Sequence, residues 1–378
     1  MRIGIDLLSC SQESEGVRTY VQSILHGLRD QLRSHAERDH QIFVFTPYDF
    51  PRLLDTSPEE SIVQIQAPTR PRLRLSPRSP LSEILDRHPV DLVHVLGSGS
   101  LPSLPRVPHV VTVPDLSGMS NGNGTWLGRT YRKQALQRSL ATARKVITLS
   151  SATRETMLRS LRGVDASRVE VIHEGADPAY GTSRNPEEES SLRKKYRLPD
   201  TFVLSVTLTD GRTVRRRIVR AARHLETIRA KTNESIPWVL MSLSPRGVRG
   251  WKRLLRKSGV QTVAPIAGLK STDLPDLLRM ASSFVHADSE GLGFPLIGAL
   301  ASGTPVITSD DLSSGELVER AAIRVNMNNP ARLAECLDRV LRNQTVRDLL
   351  RMRGPARART FSWEVAARKT LEVYEQAI

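Results

Sequence analysis

The chain has 378 residues, 39% of them hydrophobic and only 4% aromatic, and its 55 lysines and arginines against 40 acids leave a formal charge of +15. By the rule of about 150 residues per domain this is a two-domain length, with cores built on Leu, Val, Ile and Ala. No apolar stretch approaches the roughly 18 residues that span a bilayer, Met1 runs straight into a strand pattern, and Cys10 and Cys336 match no metal spacing; a cytoplasmic α/β enzyme with reduced thiols is expected.

The predicted elements alternate along the chain. RIGIDLL (2–8), QIFVFT (41–46), SIVQIQ (61–66), DLVHVL (91–96), HVVTV (109–113), KVITLS (145–150) and RVEVIH (168–173) read as strands. Apolar residues at helical spacing fill several of the gaps, notably 17–32, 129–143 and 152–161. After a polar stretch at 177–200 that holds NPEEESSLRKKYRLPD, a second series runs through FVLSVT (202–207), WVLMSL (238–243), SFVHA (283–287), PVITS (305–309) and IRVNM (323–327). Strands alternating with helices predict parallel sheets covered on both faces, here two Rossmann-like domains with a boundary near 175–200. A last amphipathic helix is expected around 363–376.

Basic residues cluster at Arg70, Arg72, Arg74 and Arg78, at 193–197 and along 212–223. Such a field favours polyanions: diphosphates, anionic lipid head groups or nucleic acid. Arginine is also spread so widely over the helices that genomic codon bias accounts for the excess equally well. Nucleic acid is the weakest of these partners, because no aromatic residues interleave with the basic runs and no zinc, RRM or KH signature accompanies them.

The most informative segment is HADSEGLGFPLIGALASGTPVITSD (286–310). An apolar strand runs into an acid and a glycine-rich turn, a proline opens a small-residue helix, and Gly-Thr-Pro leads into another strand. Proline suits the first helical turn, and glycines let the backbone approach an anion at the helix's positive end. Glu290 stands at the mouth of this loop, where a carboxylate accepts hydrogen bonds from sugar or ribose hydroxyls. An ordinary strand-loop-helix connection is the plain alternative, since isolated glycine motifs are weak.

The run Glu290-Gly291-Leu292-Gly293-Phe294-Pro295 resembles the Glu-Gly-x-Gly-x-Pro turn of the retaining GT-B glycosyltransferases of family 4. The resemblance extends over essentially the whole chain. It implies a GT-B fold of two Rossmann-like domains facing a central cleft: an acceptor domain over 1–175, a nucleotide-sugar donor domain over 200–360, and a C-terminal helix over 361–378 that crosses back to the N-terminal domain. The opening MRIGIDLLSCSQESEGVRTY resembles the family's first strand and Gly-Gly loop, with Glu15 in place of the first glycine and Gly16 retained for approach to a phosphate. FVLSVTLTDGRTVRRRIVRAARHL resembles the segment whose Arg-Lys pair grips the donor diphosphate; Arg212 matches the arginine and Thr213 stands for the lysine, with Arg215 or Arg216 able to swing in. Glu316 falls on an acid of the module after the donor loop.

Two departures stand out. Gly298 occupies the place of the family's second ribose-binding acid, and Pro114 replaces a histidine near the donor sugar, removing both a side-chain donor and a backbone N–H. Asp115 beside it either faces the cleft or caps the following turn.

What the resemblance implies chemically is transfer of a sugar, with retention, from a nucleotide-diphosphate sugar to a glycan, lipid-linked or small-molecule acceptor. Arg212, a flanking arginine, and the N–H groups of Gly291 and Gly293 to Phe294 would meet the charge on the departing diphosphate, and Glu290 would orient the sugar. Neither a cofactor nor a metal is expected: the chain has no Asp-x-Asp pair and no His-x3-His on a helical pattern. Cell-envelope glycan synthesis fits such an acceptor, as does peripheral contact with an anionic membrane on its inner face. Because three landmarks are altered, at Pro114, Thr213 and Gly298, the rival expectation is a non-catalytic GT-B homologue that serves as a binding or partner subunit.

Overall fold

The computed structural model describes residues 1–8, 15–34, 40–48, 50, 62–67, 80–96, 107–114, 116, 126–207, 212–230, 235–242, 245–287 and 293–378. It divides into two compact units: Met1–Gly175 with Ser362–Ile378, and Ala176–Ser289 with Gly293–Phe361.

The first unit is built on a seven-stranded parallel sheet of β1 (Arg2–Asp6), β2 (Gln41–Pro47), β3 (Ile62–Ala67), β4 (Leu92–Leu96), β5 (His109–Val113), β6 (Lys145–Thr148) and β7 (Val169–Val171), in the order β3-β2-β1-β4-β5-β6-β7. All five residues of β4 and of β5 are buried, as a parallel sheet covered on both faces demands. Its covering helices include α1 (Glu15–Ser34), α2 (Pro80–Arg87), α3 (Trp126–Thr142) and α4 (Ser151–Ser160). On α1 the buried set Val17, Tyr20, Val21, Ile24, Leu25, Leu28 and Leu32 forms one apolar stripe at helical spacing.

The second unit has six parallel strands, β8 (Val203–Thr207), β9 (Trp238–Ser242), β10 (Val263–Ala267), β11 (Ser283–His286), β12 (Val306–Ser309) and β13 (Ile323–Val325), ordered β10-β9-β8-β11-β12-β13. The strand β10 is absent from the sequence expectation because Pro265 interrupts it. An edge strand seats a proline, since one row of its N–H groups has no ladder partner. The helices are α5 (Pro186–Tyr196), α6 (Arg212–Arg229), α7 (Pro245–Ser258), α8 (Leu274–Met280), α9 (Phe294–Ala301), α10 (Leu312–Val318), α11 (Pro330–Arg342) and α12 (Gln344–Ala358). One apolar cluster joins the sheet to α6, α7 and α11, and another joins it to α5, α8 and α9.

The helix α5 lies inside the stretch that the polar composition predicts as an interdomain boundary. Asn185 caps it by accepting from the Glu187 N–H at 3.1 Å, three glutamates follow in its first turn, and three bases close its last. Leu192 and Tyr196 anchor it in the core of the second unit. With so few apolar residues the helix has almost no periodic signal, and residues 176–199 belong to the second unit rather than to a linker.

A final helix, α13 (Trp363–Ala377), lies in the first unit, capped by Ser362, whose hydroxyl accepts from the Val365 N–H at 3.2 Å. It packs along α1. A Cβ on Gly27 would come within 2.8 Å of the Trp363 carbonyl oxygen, and one on Gly175 would collide with the Trp363 backbone nitrogen, so both contacts require glycine. Beneath them the buried imidazole of His94 on β4 bridges Tyr374 Oη at 2.6 Å and Thr112 Oγ1 at 2.7 Å. Burial pushes the His94 pKa down to about 3, so the ring is neutral, donating through one nitrogen and accepting through the other.

Candidate functional site

In each sheet the strand order reverses once, between β1 and β4 in the first unit and between β8 and β11 in the second. Open α/β sheets bind ligands beyond the carboxyl ends of the strands at such reversals. Segments 9–14 and 97–106 follow β1 and β4, and 208–211 and 288–292 follow β8 and β11; all four lie outside the described residues. Glu290 and Gly291 therefore lie outside them as well, and so does Asp115, after β5.

The second reversal has a built floor. β8 and β11 pair only through Val203 with Ser283 and Leu204 with Phe284. One residue further, the Ser205 hydroxyl donates to the Val285 carbonyl at 2.7 Å while it accepts from the Trp238 indole N–H at 3.0 Å. A buried side chain thus ties β9, β8 and β11 together where the backbone ladder between β8 and β11 stops. Beyond this point the chain re-enters at Gly293, the N-cap of α9, with no side chain capping the helix. Pro295 sits in its first turn and lacks an N–H, and the Leu296 and Ile297 N–H groups both donate to the Gly293 carbonyl at 2.9 Å. At its other end Gly303, with φ of 68°, and Thr304 return N–H bonds to Leu300 and Ala299, a glycine stop followed by Pro305. A helix start without a side-chain cap at a sheet reversal is a place where an anion is stabilised.

The predicted donor residues distribute around this floor unequally. Arg212 opens α6, directly after segment 208–211, and its backbone is described while its side chain is not. Arg216, one turn later, is exposed. Arg215 is half-buried, and its guanidinium lies where a Cβ on Gly250 of α7 would go. Gly293 and Phe294 begin α9, both partly exposed. Glu316 is half-buried on α10, where its backbone carbonyl and that of Leu317 accept from Arg357 at 2.6 and 2.9 Å.

Gly298 differs most from expectation. Helical spacing turns its face toward the glycine loop, yet it is buried, and a Cβ there would stand 2.7 Å from Tyr180 Cε1 and 2.8 Å from Cδ1. The Tyr180 ring fills the space that a side chain at this position would need. Burial, with Asp177 nearby, pushes the Tyr180 phenol up to about 12, so it stays a neutral donor and acceptor. Its role was hidden from the sequence, in which the two positions lie 118 places apart.

At the reversal in the first unit, Gly16 is half-buried in the first turn of α1, and Pro114 is buried at the end of β5. Sequence reasoning passed over Asp6, the last residue of β1. It is 5% exposed, accepts from the Leu8 N–H at 3.0 Å through Oδ1, and is held by burial at a pKa of about 6. The readable signal was an acid closing an otherwise apolar strand. Among the described residues no group of three or more His, Cys, Asp and Glu side chains is placed to hold a metal ion. A pocket of about 180 Å³ lined by Leu225, Glu226, Arg229, Ile236 and Thr262 opens near the amino end of β9, at the opposite end of the strands from the reversal site.

Comparison with known proteins converges on one group. Residues 15–180 match the family model described as Glycosyltransferase Family 4, and residues 251–358 match Glycosyl transferases group 1. The O-antigen chain mannosyltransferase B of Escherichia coli is 26% identical over 253 residues, 65% of this chain and 64% of that protein. A D-inositol 3-phosphate glycosyltransferase of Nocardioides is 29% identical over 239 residues, 58% of this chain and 51% of the relative. The chain thus spans between about half and two thirds of the length of these relatives. Anabaena HepE, solved in complex with UDP-glucose, superposes with a TM-score of 0.74 at 17% identity, over 99% of both chains.

Proposed function

We propose that this chain, which has the GT-B fold and resembles the family 4 glycosyltransferases, moves a sugar with retention of configuration from a nucleoside-diphosphate sugar to an acceptor hydroxyl. The observation that carries the proposal is the reversal between β8 and β11: two helices start directly beyond it, α9 without a side-chain cap and α6 with Arg212 at its first position.

In the reaction the bond from the anomeric carbon to the diphosphate oxygen breaks, and negative charge grows on the leaving diphosphate. Arg212 and the start of α9 at Gly293 and Phe294 meet that charge, with Gly291 alongside and Arg216 one turn away. Fixed donors aimed at developing charge are worth more than those recruited from solvent. The acceptor oxygen bonds the anomeric carbon, and its proton passes to the diphosphate oxygen, so no enzymic nucleophile is required. Glu290 holds the sugar through its hydroxyls. In this scheme arginine and a helix terminus do the work that a metal does elsewhere. The acceptor, a cell-envelope glycan, lipid-linked sugar or small metabolite, is assigned to the first unit and the work to the cytoplasm. The names of the relatives, which include mannosyl and inositol-phosphate transferases, support a glycosyl acceptor of this breadth.

Gly298 favours a second reading. With Tyr180 over it, no carboxylate takes the ribose there, so either the nucleotide is held differently or the chain is a non-catalytic partner subunit. Incubation with UDP-, GDP-, ADP- and dTDP-sugars, followed by NMR of the anomeric proton of any product, separates these. Turnover of one donor with the α or β configuration preserved supports transfer with retention; an inverted product contradicts the mechanism. Absence of turnover together with absence of nucleotide binding favours the partner subunit.

A further inference from the structure

The charge of the chain is not spread evenly. Helices α6 and α7 contain thirteen arginines and lysines and one acid, Glu226, a formal +12. The remainder of the chain holds 42 cations against 39 acids and is nearly balanced. Codon bias would raise arginine everywhere and does not place the excess in two helices.

Those helices are neighbours on one face of the second sheet. Ile218, Val219 and Leu225 of α6 and Trp251 and Leu255 of α7 enter the same apolar cluster, and the Arg215 guanidinium lies against Gly250 between them. Their outward faces carry Arg220 and Arg223 on α6 and Arg249, Lys252, Arg253, Arg256 and Lys257 on α7, all exposed. Among the described residues none of these seven makes an ion pair, whereas Arg229, Arg279, Arg342 and Arg357 are each held by an acid. Glu226 does not interrupt the array: its Oε1 accepts from the Gln261 and Thr262 N–H groups, both at 2.9 Å.

We infer that the outer face of α6 and α7 is a docking surface for an anionic lipid bilayer. Charge complementarity selects this occupant. Cations on long, flexible side chains, unpaired among the described residues, match a fluid layer of anionic head groups that gathers beneath them. The exposed large apolar residues among those described, Tyr48, Leu349, Met352, Val365 and Ile378, lie on neither helix, so docking is electrostatic and nothing inserts. The same absence disfavours single-stranded nucleic acid, which needs aromatic platforms; Trp251 is buried beneath α7.

The test is co-sedimentation of the full chain with vesicles of phosphatidylcholine alone or mixed equally with phosphatidylglycerol, a readout independent of glycosyl transfer. The chain binds the anionic vesicles, not the neutral ones, and releases as NaCl rises from about 0.1 M to about 0.5 M. Changing Lys252, Arg253, Arg256 and Lys257→Glu lowers partitioning by about a hundredfold, since each cation near an anionic leaflet contributes several-fold. Changing Arg162, Lys194, Arg320 and Lys369→Glu, all exposed and elsewhere, alters net charge equally and leaves partitioning within about threefold. If the α7 glutamate variant does not fold by circular dichroism, the same four positions changed to Gln give the same loss in direction. Equal loss in both sets of variants, absence of binding to anionic vesicles, or tighter binding of mixed-sequence RNA through the same α7 residues overturns the inference.

Discussion

The two sheet reversals of this molecule are topologically alike and chemically opposite. Beyond β8 and β11 the chain places a helix start without a side-chain cap and an arginine, with a serine hydroxyl bracing the strands. In the first unit β1 itself ends in a buried carboxyl, Asp6, that keeps its proton to about pH 6, and two strands away a buried proline, Pro114, closes β5. The first arrangement suits an anion. The second, ionised above about pH 6, repels one. One topology used twice therefore acquires its chemistry from a handful of side chains at the strand ends.

That contrast is breakable one side at a time. The largest effect is expected at Gly175→Ala, where the new Cβ collides with the backbone of Trp363 and must push α13 away. A loss of about 3 kcal/mol or more in chemical denaturation is predicted. Asp6 gives a comparable effect that depends on pH. Its folded pKa of about 6 lies above the ordinary 3.8, so below about pH 4 the carboxyl is neutral in both states. As pH rises toward 6 the unfolded chain releases the proton first, and the folded state loses about 3 kcal/mol across that window. Asp6→Asn should flatten this part of the stability profile and leave the protein more stable than the parent at pH 7; an unchanged profile would show that Asp6 is solvated.

Smaller changes probe the second reversal. Gly298→Ala forces a methyl into the Tyr180 ring and should cost about 1–3 kcal/mol, measured by thermal melting. Recovery in the double variant Gly298→Ala with Tyr180→Leu would locate the strain; equal loss in both would put it elsewhere. Ser205→Ala removes the hydroxyl that serves both the Val285 carbonyl and the Trp238 indole, for about 1–2 kcal/mol. Stability unaffected by Ser205→Ala would mean that β8 and β11 need no brace beyond Leu204.

Much of the architecture was legible because long buried strands write themselves as apolar runs: β1, β2, β4, β5, β8, β9 and β12 coincide with their sequence patterns to within about two residues. The omissions have local causes. Pro265 disguised the edge strand β10, and α5 carries so few apolar residues that only its Asn185-Pro186 start and charge order betray it. At the site, Gly293, Phe294 and Pro295 were readable as a loop entering a helix, since that signal lies within a few adjacent residues. The filling of the Gly298 face by Tyr180, the Ser205 bridge and the burial of Asp6 depend on neighbours distant in sequence, which no local pattern encodes.

The central claim is that the reversal between β8 and β11 holds the diphosphate of a sugar donor, and isothermal titration of nucleoside diphosphates tests it most directly. The account predicts saturable binding of one of them, weakened by about 1.5–3 kcal/mol in Arg212→Ala with little change in melting temperature, and within a few-fold of the parent in Glu290→Gln and Asp6→Asn. Absence of binding to any nucleoside diphosphate, or affinity unchanged in Arg212→Ala, would contradict it.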